Sequence, residues 1–168
     1  SIVHQANVTA WNVGDTWSYD IRLDAVSLVE DSPDLSGSSL EILDGTATIE
    51  VASVTLYNIS GDMVPAYRLE LHAEATGDGR FPEPNTGIFA TGELLVDYHE
   101  TRWVRVSDLA IIYRIQSLDL DFDAFGIWTT GIADFDHAHE YNPPQEIHDF
   151  PLRLNETWNS VSEHTQTW

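Results

Sequence analysis

Residues 16–25, "TWSYDIRLDA", alternate without a break. Trp17, Tyr19, Ile21, Leu23 and Ala25 fall on one side; Thr16, Ser18, Asp20, Arg22 and Asp24 fall on the other. A period of two is that of a strand with one buried face. The pattern returns in "AYRLELHAEAT", where Tyr67, Leu69, Leu71, Ala73 and Ala75 oppose Arg68, Glu70, His72 and Glu74. Residues 46–59 also alternate, but Ala47, Ile49 and Val51 are followed by Val54 and Leu56. That one-residue slip near Ala52-Ser53 predicts a β-bulge, which bends a sheet. Residues 88–99 and 101–106 read as strand. Residues 109–118, "LAIIYRIQSL", begin apolar on both sides and so predict a central strand. Residues 119–135 continue extended, with breaks at Gly126 and Gly131.

Turn formers divide these runs. Val13-Gly14-Asp15-Thr16-Trp17 and Leu154-Asn155-Glu156-Thr157-Trp158 repeat one device: a turn residue tolerant of positive φ, an acid, then Thr-Trp opening a strand. "EDSPDLSGSS" (30–39), "SGDM" (60–63) and "GDGRFPEPNTG" (77–87) read as loops. "HAHEYNPPQEIHD" (137–149) reads as a loop or arm, because Pro143-Pro144 cannot donate to a ladder. No long stretch carries a 3.6-residue period; one short helix at 103–113 or 145–150 is the most that fits. The expected class is mainly β: a strongly bent antiparallel sheet, as a β-sandwich or open half-barrel, with little helix. An extended segment 1–10 is expected to precede a single β domain, 11–168.

Composition sharpens the class. The 168 residues hold 28 acids, seven Arg and no Lys, for a formal charge of −21. Such a field repels nucleic acid and anionic lipid, both of which are held by Lys and Arg. It suits high salt, divalent cations or a cell surface, and it resembles the composition of proteins on halophilic or other archaeal exteriors. There is no Cys, hence no disulfide and no thiolate ligand or nucleophile. No apolar run is long enough to span a membrane as a helix. "SIVHQANVTA" reads as a mature end left after processing. Asn7, Asn58 and Asn155 each begin an Asn-x-Ser/Thr triplet, the acceptor pattern for an N-linked glycan on an exported, extracellular protein.

The segments "NVGDTWSYDI", "GTATIEVASVTLYNISGDMVPAYRLEL", "HETRWVRVSDLAIIYRI" and "YNPPQEIHDFPLRLNETW" follow an order that resembles a loose group of exported prokaryotic β-proteins. Their sheets are similar to the half-barrels of lipoprotein carriers of the LolA and LolB kind. The resemblance implies an open, curved sheet and carries over no catalytic residue.

Two acidic stretches are candidate cation sites. "DLDFD" puts Asp119, Asp121 and Asp123 on one face, in the spirit of a calcium loop. On a straight strand, however, alternate Cα atoms lie about 6.6–6.8 Å apart, too far for three carboxylates to meet on one ion. "DFDHAHE" gathers Asp134, Asp136, His137, His139 and Glu140; its carboxylates suit calcium and its imidazoles suit zinc, copper or nickel. No nucleophile elbow, phosphate loop or dinucleotide fingerprint is present, so no enzyme is expected. Of the six Trp, Trp17, Trp103 and Trp128 are expected to fill the core. Trp11, Trp158 and Trp168, with Ile2, Val3 and Val8, are expected at subunit contacts.

The expectation is therefore a non-catalytic cell-surface protein that polymerises with itself into a filament, sheath or surface layer, partly by donating a terminal strand. Kept within the chain, the last residues would instead close the sheet beside the strand begun at Gly14. The alternative is a half-barrel that carries an apolar or lipid-like ligand.

Overall fold

The computed structural model describes residues 5–6, 10–24, 37–146, 152–153 and 163–167. Ten strands follow one another: β1 (Gln5–Ala6), β2 (Thr16–Leu23), β3 (Ser39–Leu40), β4 (Leu43–Ile59), β5 (Asp62–Pro82), β6 (Phe89–Arg105), β7 (Ile111–Asp123), β8 (Thr129–Gln145), β9 (Leu152–Arg153) and β10 (Glu163–Thr167). No helix occurs among the described residues, so neither short helix expected at 103–113 nor, where described, at 145–146 is present. Eight strands form one open antiparallel sheet in the order β10-β8-β7-β6-β5-β4-β2, with β3 pairing the far part of β5. β1 and β9 pair separately, Gln5 with Arg153 and Ala6 with Leu152.

Gly14, at φ +93°, makes the turn that launches β2. The Asn12 N–H donates to Asp15 Oδ2 at 2.7 Å and fixes it. The second copy of this turn, 154–158, lies outside the described residues. The slip in β4 is a bulge: Val51 pairs with Leu69, Ser53 with Arg68, and Ala52 is the extra residue. β4 and β5 join through Ser60 (φ 53°) and Gly61 (φ 100°), the two positive-φ residues of a type I′ hairpin turn.

Two segments expected as loops are strand. Residues 77–82 continue β5 to Pro82, because their glycines let chains approach rather than turn. A Cβ on Gly77 would stand 2.5 Å from Leu43 Cδ2. Residues 137–145 continue β8 through both prolines. There Ile111 pairs with Gln145 but Tyr113 pairs with Glu140, so Pro143 and Pro144 fall in a bulge where no N–H is required. β10 pairs with β8, Glu163 with Asn142 through Thr167 with Ala138. The C-terminal strand thus lies at the edge opposite β2, not beside it.

Directly opposed residues share a face, so the register reads the inner face in rows. One row runs Tyr19, Ala47, Ala73, Tyr98, Leu118, Phe135; the next runs Trp17, Ile49, Leu71, Glu100, Gln116, His137. On one side of these rows lies a core of Leu40, Leu43, Ala75, Phe81, Leu94, Val96, Phe122 and Ala124, with Trp128 against it. On the other side lies a core of Val51, Tyr67, Leu69, Val104, Ile111 and Tyr141. β7 is interior, and Ile111 and Ile112 are both buried, as its doubly apolar start predicts.

Trp17 and Trp128 pack against these cores. Trp103 does not: it stacks on the outer face with Tyr57 and Tyr113, ring centroids 6.3 and 5.5 Å away. Trp11, expected at a subunit contact, packs on its own chain, 5.5 Å from Trp17 and 5.2 Å from Tyr67. The Gly14 turn folds it back, and its N–H donates to Tyr67 Oη at 3.1 Å. Ile2, Val3, Val8, Trp158 and Trp168 lie outside the described residues.

Candidate functional site

Between the two cores a polar belt crosses the inner face. Glu100 on β6 is 4% exposed, the one charged side chain buried to that degree among the described residues. A bare carboxylate there would be strongly disfavoured, and three neighbours relieve it. The Arg102 Nε–H donates to Oε1. The Tyr98 hydroxyl donates to Oε2 at 2.5 Å, and Gln116 Nε2 donates to Oε2 at 3.2 Å. Tyr98 and Arg102 stand two residues either side of Glu100 on the same face of β6, and Gln116 is its register partner on β7. The strand period alone assembles the network.

Burial, and then the hydrogen bond to Glu100, push the Tyr98 hydroxyl up to about 12. It stays protonated at any ordinary pH and acts as a donor and acceptor. Glu100 takes one donor on Oε1 and two on Oε2, and so ties Arg102, Tyr98 and Gln116 together. Beside it the Arg114 guanidinium lies 5.8 Å from the Tyr141 ring centroid, and its Nε is buried with no hydrogen-bond partner. Tyr98, Gln116, Ser117, Leu118, Phe135 and His137 line a recess of about 340 Å³.

The acidic stretches are distributed differently from the expectation of local clusters. Asp119, Asp121 and Asp123 lie along β7 on the outer face, opposite Asp97, Leu95 and Glu93 of β6. Asp123 is engaged in its turn, accepting from the Gly126 N–H at 2.7 Å. "DFDHAHE" is strand, so its residues part. Asp134, Asp136 and Glu140 share the outer face, while His137 and His139 share the inner one. The two imidazoles are 6.2 Å apart between centroids. Neither stretch brings three ligand atoms together.

The residues that do converge were missed from sequence. His72 on β5 and His99 on β6 are register partners, and their rings stack at 4.2 Å and 5°. Both Nε2 atoms reach one carboxylate oxygen, Asp97 Oδ1, at 2.9 and 3.1 Å. Glu74 Oε1 is 3.6 Å from His72 Nε2. The signal was available in pairing "ELHAE" with "VDYHE" in antiparallel register, where His meets His and Glu74 meets Asp97.

Of the three glycan acceptors, Asn58 lies exposed beside the β4–β5 turn, where its Oδ1 accepts from the Gly61 N–H at 2.8 Å. Asn7 and Asn155 lie outside the described residues. No protein-family model matches the chain, and no curated protein and no solved structure matches it.

Proposed function

We propose that this chain is a non-catalytic, exported building unit of a cell-surface assembly, in which a terminal strand of one copy is added to the sheet of the next. The observation that carries the reading is the open sheet edge. β2 takes a partner on one side only among the described residues, and its sequence "TWSYDIRL" has no Pro or Lys to block a second. Such an edge is a template for another strand. The opposite edge is β10, five residues long and attached, among the described residues, to β8 alone. A short terminal strand of this kind is readily exchanged between copies.

Contacts at the sheet's ends fit the same reading. Leu56 and Met63, 63% and 56% exposed, stand at the β4–β5 hairpin end; Phe125 and Ile127, 69% and 83% exposed, stand at the other. Two different apolar patches at opposite ends favour head-to-tail repetition over a closed pair. The charge of −21 keeps the remaining surface hydrated, and Asn58 is placed where a glycan has room. Mass of the native particle is the test. The full chain is expected to form polymers that shorten when residues 1–9 or 159–168 are deleted. A monodisperse monomer at high concentration overturns the proposal.

A second reading rests on the inner-face recess. Tyr67, Leu69 and Ala75 are covered, as an assembly module requires, but Tyr19 and Phe135 are 50% and 45% exposed. Tyr19 and Phe135 stand at the two ends of the row that also holds Ala47, Ala73, Tyr98 and Leu118, and Phe135, Tyr98 and Leu118 line the recess. A half-barrel carrier would seat an acyl chain there. Titration with a long-chain fatty acid, blocked by Ala73→Trp, distinguishes it from assembly.

A further inference from the structure

The geometry points to a transition-metal site on the outer face at His72, Asp97 and His99, with the Glu74 carboxylate beside it, taking a divalent ion of the zinc class. Three different donors converge there: two imidazole nitrogens and a carboxylate oxygen, all within 4.8 Å of one another. Among the described residues no other His, Asp and Glu set does so.

The dimensions suit zinc. Zn–N distances of about 2.0–2.1 Å and Zn–O of about 2.0–2.2 Å put neighbouring ligand atoms of a tetrahedron about 3.3–3.5 Å apart. The Nε2 atoms stand 2.9 and 3.1 Å from Asp97 Oδ1, so these distances need open by only a few tenths of an ångström, while the two rings, stacked at 5°, must tilt to aim both nitrogens at the ion. The side chains of His72, His99 and Asp97 are 45%, 54% and 48% exposed, which leaves the rings free to splay and the ion an open path. Glu74 Oε1 lies outside that converging trio, 3.6 Å from His72 Nε2, and adds negative charge beside it.

Charge favours the same occupant. Glu74, Asp97, Asp119 and Asp134 are successive register partners across β5, β6, β7 and β8. Four carboxylates in a row repel one another, and no arginine stands among them. A divalent ion at one end of the row offsets that repulsion. Imidazole selects zinc, copper or nickel over calcium and magnesium, which prefer oxygen alone. The ligands come from two adjacent strands held in register over seventeen residue pairs, so the cradle exists before the ion arrives. The site is independent of the assembly reading.

Zinc titrated into the metal-free full chain by calorimetry tests the proposal. One ion per chain is expected, undiminished by excess calcium or magnesium. His72→Gln and His99→Gln should each weaken binding by more than the roughly 10–100-fold that second-sphere changes cost. His139→Gln, on the other face, should leave it unchanged. Copper in the same site should show an electron-paramagnetic-resonance spectrum with two coupled imidazole nitrogens, a readout that needs no variant to fold. Absence of zinc binding, binding that persists in the His72→Gln/His99→Gln double variant, or a copper spectrum without two nitrogens overturns the assignment.

Discussion

Glu100 and Asp97 sit three residues apart on one strand and on opposite faces of one sheet. Glu100 is enclosed, and every neighbour on its face answers it: Arg102, Tyr98 and Gln116 all donate to it or to each other. Asp97 is half-exposed, its register partners are more carboxylates, Glu74 and Asp119, and only the exposed imidazoles of His72 and His99 reach it. The chain has seven Arg for 28 acids and spends one of them on the single carboxylate buried among the described residues. Desolvation makes a missing partner costly inside, whereas water and salt make it tolerable outside. The inner carboxylate is enclosed by its partners; the outer row, apart from the two imidazoles on Asp97, faces solvent.

The largest test of that contrast removes Arg102. Arg102→Met leaves Glu100 buried without its cation and should cost about 3–5 kcal/mol in urea unfolding. The double variant Glu100→Leu/Arg102→Met should recover most of the loss, since an apolar pair of similar volume replaces both charges. If the single variant costs no more than an exposed pair, the belt is not a desolvated network.

Tyr98 sharpens the same point. Tyr98→Phe removes one donor from Glu100 and should cost about 1–3 kcal/mol. The hydroxyl is raised in the folded chain to about 12 from its ordinary value of 10.0. Its contribution is therefore complete below about pH 10 and is lost as pH rises through about 12, because the unfolded chain ionises first. Absorbance titration of phenolate should show a step delayed to about pH 12, and Tyr98→Phe should remove it.

Arg105 and Asp108 stand between the two extremes, each side chain 25% exposed. Burial opposes the Asp108 charge, but the hydrogen bonds from Arg105 and from the Ala110 N–H, with the Arg105 charge, outweigh it and hold the carboxyl below its ordinary value. A lowered carboxylate stabilises above its unfolded value and ceases to do so as pH falls through the folded one. Asp108→Asn should cost about 1–2 kcal/mol at neutral pH, and the difference from the parent should narrow as pH falls below about 4.

Much of this was legible beforehand. Alternation in residues 16–25 and 67–75, the bulge at Ala52 and the central place of β7 follow from local pattern. What was not legible depends on who stands opposite. The glycines of residues 77–79 look like a loop until Leu43 is known to press on Gly77 and Phe81 on Gly79. The prolines at 143–144 look like a break until the bulge opposite Ile112 is known. His72 and His99 lie 27 positions apart and become a pair only through the β5–β6 register. Asp119 to Asp123 and Asp134 to Glu140 attract attention because they are dense in sequence, but a strand spreads such residues along its length and between its faces. Convergence comes from the perpendicular direction, across strands, which a linear reading does not rank.

The smallest effect is expected on the outer row, with the opposite sign. Asp119 faces Asp97 on one side and Asp134 on the other. Like charges directly opposite in a sheet cost roughly 0.2–1 kcal/mol each. Asp119→Asn keeps the shape and removes the middle charge, so it should stabilise the fold by an amount in that range at low ionic strength. Salt should erase the gain: the screening length falls from about 10 Å at 0.1 M to about 3 Å at 1 M, shorter than the roughly 4.7–4.9 Å between neighbouring strands. The parent should therefore gain more melting temperature than Asp119→Asn across a sodium chloride titration, and the two curves should meet at high salt. Arg102→Met should stay well below both throughout, because its buried charge is screened far less. If Asp119→Asn destabilises at low salt, the outer carboxylates are partnered as the inner one is, and the contrast between the two faces fails.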